Sequence, residues 1–311
     1  FAVQGTAVAG SVTIDGSNHG GATDLTLMSA SGTLSVTLGS SGDFSAGQVD
    51  AGLLSIDASN ASATGDITLF SVTGSSTSVV LGAAAANSSF SADGIQNIND
   101  VTVGGATYNG SIDINTVSAS GVTITTGVKG DFSAGDVDAT TFTLNGAAGI
   151  SGATVKLTDV SASDNVNITL GTSSGGPDSF VSGLIADGSF TFSATGEKSG
   201  QITMHNVSAS GVTIGVGLGN RFSGSVINTG LGGFNMTTNG GTGVVILHSL
   251  DVGSAGGSIT LGAGSGSLTL GASNNNGASS LGITSDGSFT IDASQSTQDG
   301  AINIANAYFS A

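Results

Sequence analysis

The strongest constraint on this chain is that it repeats itself. The phrase DFSAGQVDA at residues 43–51 returns as DFSAGDVDA at 131–139, eighty-eight residues later. The phenylalanine of this phrase recurs at gaps of 46, 42, 48 and 42 residues. Its positions are Phe44, Phe90, Phe132, Phe180 and Phe222. A period of this length predicts a repeat architecture, in which each unit buries its apolar face against the next.

A second landmark is a short strand with apolar residues at alternate positions. It reads SVTIDGS, LLSIDAS, TFTLNGA, SFTFSAT and SFTIDAS in five of its copies. Alternation with a period of two is the pattern of a pleated strand with one buried face. We therefore predict that one inward position is shared by a set of apolar residues. The set is Ile14, Ile56, Val103, Leu144, Phe192, Met236 and Ile291.

Each repeat divides into two similar halves, and the phrase VSAS marks one of the strands at 117–120, 160–163 and 207–210. A half of about 21 to 23 residues fits one coil of a β-helix. The sequence therefore predicts an all-β fold, a β-solenoid of about 14 coils in about 7 double-coil repeats. Successive coils would stack at the interstrand spacing of about 4.8 Å.

No linker, charge run or change of composition divides the sequence, so we expect one continuous repetitive β domain over residues 1–311. Alternation alone also fits a large antiparallel β-sandwich or a tandem of small β domains. Glycines such as Gly47, Gly135 and Gly211 are expected at corners of the coil, where a positive φ costs glycine little.

The charge balance limits the classes of partner. The chain has 21 acidic residues against 4 basic ones, a net charge of −17, and no cysteine. A negative field of this size argues against nucleic acid and against anionic membrane surfaces. No apolar run reaches the roughly 18 residues that a transmembrane helix needs. Large, cysteine-free, lysine-poor β chains are common on bacterial surfaces, so we expect an extracellular, cell-surface location.

Little in the sequence points to catalysis. His19, His205 and His248 share no recurring neighbourhood, and no GxSxG motif surrounds a serine. Polysaccharide-cleaving β-helices need clustered carboxylates together with basic residues in a groove. The basic residues here are few and scattered, namely Lys129, Lys156, Lys198 and Arg221. We therefore expect that the protein is not an enzyme.

Aspartates are the one candidate for a binding site. They recur after the inward isoleucine, directly before the landmark phenylalanine, and six residues after it. The members of these three slots are Asp15, Asp57 and Asp292, then Asp43 and Asp131, then Asp50 and Asp138. Calcium prefers several oxygen ligands, which carboxylates and turn carbonyls supply, so these residues predict calcium binding. The alternative is that each aspartate caps a turn by bonding its own backbone.

The two ends of the sequence do not read as polar caps. A solenoid with unpaired terminal strands either continues in a longer chain or docks onto neighbouring subunits, and head-to-tail docking produces open arrays or filaments.

An ice-binding surface would need a regular ladder of threonines, and Thr123, Thr125 and Thr213 are too few to predict one.

The phrases SIDASNASATGDITLF, SITLGAGSGSLTLGAS and FTIDASQSTQDGAINI resemble the repetitive bodies of bacterial surface-layer proteins of the repeats-in-toxin-related type. They are also similar, more weakly, to the β-helix passengers of filamentous-haemagglutinin-like and autotransporter adhesins. The resemblance implies a β-helical extracellular body, often stabilised by calcium in the surface-layer relatives. The calcium nonapeptide GGxGxDxUx of that type is absent from this chain.

The sequence as a whole predicts a non-enzymatic structural subunit of an extracellular assembly, a surface-layer lattice or a filament. We expect it to associate with copies of itself through uncapped β ends and calcium, with cell-surface polysaccharide as a further partner. The alternatives are an adhesin stalk or passenger and a phage fibre or decoration protein. A polysaccharide-acting β-helix enzyme is the least favoured.

Overall fold

The protein folds entirely into β-strands in the part of the chain that the structure, a computed structural model, describes. The described residues are 2–39, 43–59, 65–83, 88–127, 131–146, 154–170, 178–195, 200–217, 219, 221–239, 243–263, 266–271, 282–295, 301–305 and 307–309. Contacts divide the chain into two compact units, residues 1–148 and 149–311, and each is described by itself. A single domain over 1–311 stays a prediction.

The first unit contains eleven described strands and the second contains fifteen. Those of the first unit are β1 Ala2–Val8, β2 Val12–Gly16, β3 Thr23–Leu38, β4 Phe44–Ala46, β5 Val49–Ala58, β6 Ile67–Leu69, β7 Val72–Leu81, β8 Ser89–Asn97, β9 Asp100–Gly104, β10 Ser111–Thr126 and β11 Phe132–Gly146. Those of the second are β12 Thr154–Thr158, β13 Val160–Ala162, β14 Val166–Leu170, β15 Asp178–Ala194, β16 Gln201–Val216, β17 Arg221–Thr229, β18 Phe234–Thr238, β19 Val245–Leu247, β20 Leu250–Val252, β21 Gly257–Leu261, β22 Leu268–Leu270, β23 Ile283–Ser285, β24 Phe289–Asp292, β25 Ile302–Ile304 and β26 Ala307–Phe309.

Among these strands, every pairing within a unit is parallel. Parallel neighbours cannot be joined by tight hairpins, so the chain must travel once around before it pairs with itself again. This confirms the predicted all-β solenoid and excludes the antiparallel sandwich.

Each coil runs through three short strand segments, which we call A, B and C in chain order. In one coil, segment A is β4, and β5 supplies both B and C. Pairing stacks equivalent residues of successive coils into columns. The inward column of segment A in the first unit contains Phe44, Ile67, Phe90, Ile112 and Phe132. Phenylalanine alternates with isoleucine from coil to coil, which is the predicted double-coil repeat.

Segment C carries the predicted inward position. In the first unit its column is Ile14, Val36, Ile56, Val79, Val103, Ile124 and Leu144. In the second unit it is Ile168, Phe192, Ile214, Met236, Ile259 and Ile291. All seven residues predicted to share this position lie in the column of their own unit, so this prediction is confirmed.

Phe180 does not take the place that the sequence predicts. In the second unit the inward column of segment A passes through Ser179, Ile202 and Phe222. Phe180 is the next residue, and 38% of it is exposed, whereas Phe222 is 0% exposed. The cause is the pleat: Val181 takes the inward position that pairs with Met204, so its neighbour Phe180 must face outwards.

The corner between segments A and B is a two-residue turn whose second residue is left-handed on most levels, although Gln48 and Ser249 at this position do not have positive φ. In the first unit the positive-φ residues at this corner are Gly5, Leu27, Ser71, Gly94, Thr116 and Asp136, and in the second Asp159, Gly183, Asn206 and Val226. Gly47 and Gly135 lie at this corner, as predicted, but neither they nor Gly211 has positive φ. Gly135 is the first residue of its corner, and Asp136, the next residue in the sequence, adopts a φ of 47°.

Replacement of the two phenylalanines of the second unit by alanine should have unequal effects. We expect Phe222→Ala to lower the free energy of unfolding by roughly 3–5 kcal/mol, because it removes a fully buried ring. Phe180→Ala should cost less than about 1 kcal/mol, because the ring is partly in water. Equilibrium denaturation in urea measures both values. Equal losses would place Phe180 in the core after all.

Replacement of Val226 by glycine should stabilise the protein. A β-branched residue at φ 56° is strained, and glycine adopts this conformation freely. We expect a gain of roughly 0.5–1 kcal/mol in the free energy of unfolding. Ile185→Gly, at an exposed strand position of the same unit without positive φ, is the control and should destabilise. Destabilisation by both changes would contradict the strain at Val226.

Candidate functional site

An open groove of about 880 Å³ lies on the first unit where segment B leads into segment C. Its floor consists of small inward residues, Ala30, Ala51 and Gly74. Small residues are required here because the backbones of successive coils come close: a Cβ at Gly74 would collide with the carbonyl oxygen of Ala51. The groove therefore follows directly from the Ala and Gly residues that end segment B.

The side of this groove is the outward column of segment B. It presents Ser29, Asp50, Thr73 and Gln96 on four successive levels. Ile98, which is 76% exposed, lies at one end. Hydroxyl, amide and carboxylate groups repeated about every 4.8 Å can form hydrogen bonds with an extended polar chain. Asp50 is thus the one predicted site residue that lines the groove.

The other residue of its slot, Asp138, lies in the same column but not beside Asp50. Thr73, Gln96 and Ser118 separate the two aspartates. Four coil spacings correspond to about 19 Å, which is too far for one ion to contact both carboxylates.

The aspartates after the inward isoleucine cap turns. Asp15 and Asp57 share an outward column of segment C with Thr37 between them, so two coil spacings, about 10 Å, separate the two aspartates. Asp292 occupies the corresponding column of the second unit. In each case a carboxylate oxygen accepts a hydrogen bond from the backbone N–H two residues on. The donors are Ser17 at 3.0 Å, Ser59 at 2.9 Å and Ser294 at 2.9 Å.

These hydrogen bonds favour the ionised form of the three carboxyls. The hydroxyl and then the backbone N–H of Ser17 lower the pKa of Asp15, and Ser59 lowers the pKa of Asp57 in the same way. For Asp292 the backbone N–H of Ser294 has the larger effect on the pKa. The geometry therefore supports the turn-capping alternative for this slot.

The aspartates before segment A join adjacent coils. Asp43 accepts a hydrogen bond from the backbone N–H of Asp66 at 3.0 Å. Asp66 in turn accepts from the N–H and the hydroxyl of Ser89, at 2.9 and 2.7 Å. Asp131 belongs to the same column, but Asp66, Ser89 and Ser111 lie between it and Asp43. Asp66 was not among the predicted residues, because this slot was defined by a following phenylalanine, whereas Asp66 precedes Ile67.

The structure does not gather the seven predicted aspartates into one place. Six of them are distributed over three columns of the first unit, and Asp292 lies in a column of the second. Within the described residues no group of three or more His, Cys, Asp or Glu side chains could hold a metal ion. Calcium binding stays a prediction.

Two of the histidines have a common neighbourhood that the sequence did not reveal. His205 and Ser225 are paired at the A–B corner of adjacent coils, and Nδ1 of His205 hydrogen-bonds to the hydroxyl of Ser225. His248 follows on the next level, where its backbone N–H donates to the backbone carbonyl of Gly224 at 2.8 Å. The gaps of 20 and 23 residues between these corner positions hid the alignment.

The two basic residues in the described part of the chain, Lys156 and Arg221, do not form a cationic cluster at any of these places. Lys156 lies in the outward column of segment A, where it pairs with Phe180. Arg221 pairs with Gln201 at the start of segment A in later coils. Lys129 and Lys198 lie outside the described residues.

Comparison of the chain with protein-family models, with curated proteins and with solved structures finds no match. In the described part of the chain, no helix is long and apolar enough to span a membrane.

The turn formed by Asp57 should contribute to stability in a pH-dependent way. Its pKa is lowered from 3.8 in the folded state, so its contribution is fully present above about pH 3.8 and is lost as the pH falls through the folded pKa. We expect Asp57→Ala to cost about 0.5–1 kcal/mol at pH 7 and progressively less below pH 3.8, measured by urea denaturation. Asp57→Asn, whose neutral amide oxygen accepts the same N–H, is the control. A loss for Asp57→Ala that does not change with pH would contradict this role.

Proposed function

We propose that this protein is a non-enzymatic structural subunit of an extracellular assembly, a surface-layer lattice or a filament. One observation carries the proposal. In the last described level of the second unit, Ile302 and Ile304 continue the inward column of segment A, yet they are 48% and 47% exposed. Leu268 and Leu270, their partners on the level before, are 0% exposed.

A core column whose last residues are about half exposed favours the addition of another strand. The exposed isoleucines would bury apolar surface against the next level, and an unpaired strand edge would complete its hydrogen bonds. In the proposed assembly a second copy of the chain supplies that level. Because the two contacting surfaces differ, the contact is heterologous, and repetition of it produces an open array or a filament.

The charge of the chain makes the proposed association dependent on ions. Copies with a net charge of −17 repel one another, and salt or a divalent cation weakens the repulsion. Calcium is the proposed cation, acting on the outward aspartate columns. The groove on the first unit supports cell-surface polysaccharide as a further partner, because its polar groups repeat along a line as the sugars of a linear chain do.

Substitution of an exposed isoleucine in the last described level of the second unit should weaken self-association. We expect Ile302→Lys to shift the chain towards monomer, because a charged side chain cannot be buried against a neighbouring strand. Ile185→Lys is the matched control, since Ile185 is 52% exposed but lies in the outward column of segment B. Light scattering across a range of concentrations, with and without calcium, measures the mass of both variants and of the parent chain.

Two results would count against the proposal. A parent chain that stays monomeric under all of these conditions would exclude the assembly. Equal effects of Ile302→Lys and Ile185→Lys would show that association does not use the open level.

A further inference from the structure

The middle outward column of segment C in the first unit consists entirely of hydroxyl residues. Its seven members, one per level, are Thr13, Ser35, Ser55, Ser78, Thr102, Thr123 and Thr143. All are exposed or partly exposed. From the sequence, Thr123, Thr125 and Thr213 are too few to predict such a ladder, and the members of this column are 20 to 24 positions apart along the chain. Only the pairing brings them together.

The second unit repeats the feature independently. Its corresponding column is Asn167, Thr191, Thr213, Asn235, Ser258 and Thr290. Every member carries a hydroxyl or an amide, and none is charged. The hydroxyl of Ser258 donates to the amide oxygen of Asn235 at 2.9 Å, so side chains on adjacent levels are in contact along the column.

A neighbouring outward column extends the array in a second direction. Two residues further along the strand, it carries Thr37 and Thr125 in the first unit, with Asp57, Val80 and Gly104 between them. In the second unit it carries Thr169, Thr237 and Thr260, with Ser193 and Gly215 after the first of these. Hydroxyl and amide groups therefore repeat about every 4.8 Å along the middle column, and a second hydroxyl stands about 6.6 Å away along the strand on the levels where the neighbouring column has a threonine. Pairing within segment C is unbroken, because the register shifts, such as that between Ala30 and Thr33, precede it.

The array is most uniform at the end of the first unit. There Thr123 and Thr125 on one level lie beside Thr143 and Asn145 on the next. Charged residues flank the column elsewhere, for example Asp57 beside Ser55. An uncharged patch of hydroxyl and methyl groups is unusual on a chain with a net charge of −17, and it does not suit an ionic ligand.

The chemistry of the array limits the kinds of partner that can bind to it. A soluble protein would exchange hydrogen bonds to water for hydrogen bonds to these hydroxyls with little net gain, and the small side chains bury little apolar area. The column has no aromatic ring on which a sugar could stack. A partner gains from this surface if its own hydrogen-bonding groups repeat in two directions at similar distances, so that many weak contacts form together. The surface of an ice crystal is such a partner, because its oxygen atoms repeat at spacings close to that of β-strands.

We propose that the outward face of segment C binds ice. The hydroxyls hold water molecules at positions that continue the crystal lattice, and the threonine methyl groups order the water between them. The array binds as a whole, since no single hydroxyl holds a water molecule strongly. This inference does not rest on the proposed structural function, because it concerns the side of the coils and not their open level.

Incorporation of the full chain into growing ice tests this inference. The fluorescently labelled protein is frozen slowly onto a cold surface, and the labelled fraction in the ice is measured beside serum albumin, which ice excludes. The test variant carries lysine in place of Thr123, Thr143, Thr191 and Thr213, two adjacent levels in each unit. The control carries lysine in place of Ser45, Thr68, Thr203 and Ser223, two adjacent levels of the outward column of segment A.

We expect the parent and the control to enter the ice and the test variant to be excluded. Circular dichroism and a melting curve establish that each variant is folded. A second variant with valine at the same four threonines keeps the side-chain shape and should also lose incorporation. Exclusion of the parent chain, or entry of the lysine variant to the same extent as the control, would overturn the inference. Absence of self-association in light scattering would leave it unaffected.

Discussion

The parallel hydrogen-bonded register between successive coils determines every other feature of this protein. Parallel pairing places each residue directly over its equivalent in the next coil, and the pleat sends alternate residues inwards and outwards. Phe44, Ile67 and Phe90 form a buried column for this reason. The outward hydroxyl column and the aspartate columns are products of the same register. Burial of the apolar columns therefore also fixes the chemistry of the outer surface.

The sequence predicts the features that depend on local alternation of apolar and polar residues. It does not predict the features that depend on which residue of the next coil a given residue pairs with. Ile56 and Leu144 are recognisable as inward residues because their own neighbours alternate in polarity. Phe180 has the right neighbours, but its orientation depends on which residue of the next coil pairs with Val181. The left-handed residue at a corner is equally hidden. Asp136 adopts that conformation although a glycine precedes it.

The candidate site likewise has features that are visible in the sequence and features that depend on the pairing of the coils. Recurrence of aspartates is visible in the sequence, but their function depends on the hydrogen-bond donors nearby. Asp57 accepts from its own turn, whereas Asp43 accepts from the next coil. Two aspartates at equivalent positions are never closer than the spacing of their coils. A stacked fold therefore produces lines of charge and not compact clusters, which favours extended or multivalent partners over a single enclosed ligand.

The two-residue corner between segments A and B has a consequence for how such a chain can change in length over evolution. In the first unit this corner keeps its length on every level, so each coil presents the same edges to the coil on either side. Duplication or deletion of one double-coil repeat would keep the alternation of phenylalanine and isoleucine in the core column, because each coil touches only its neighbours. A lineage could thus lengthen or shorten this protein in steps of two coils without redesigning its interior.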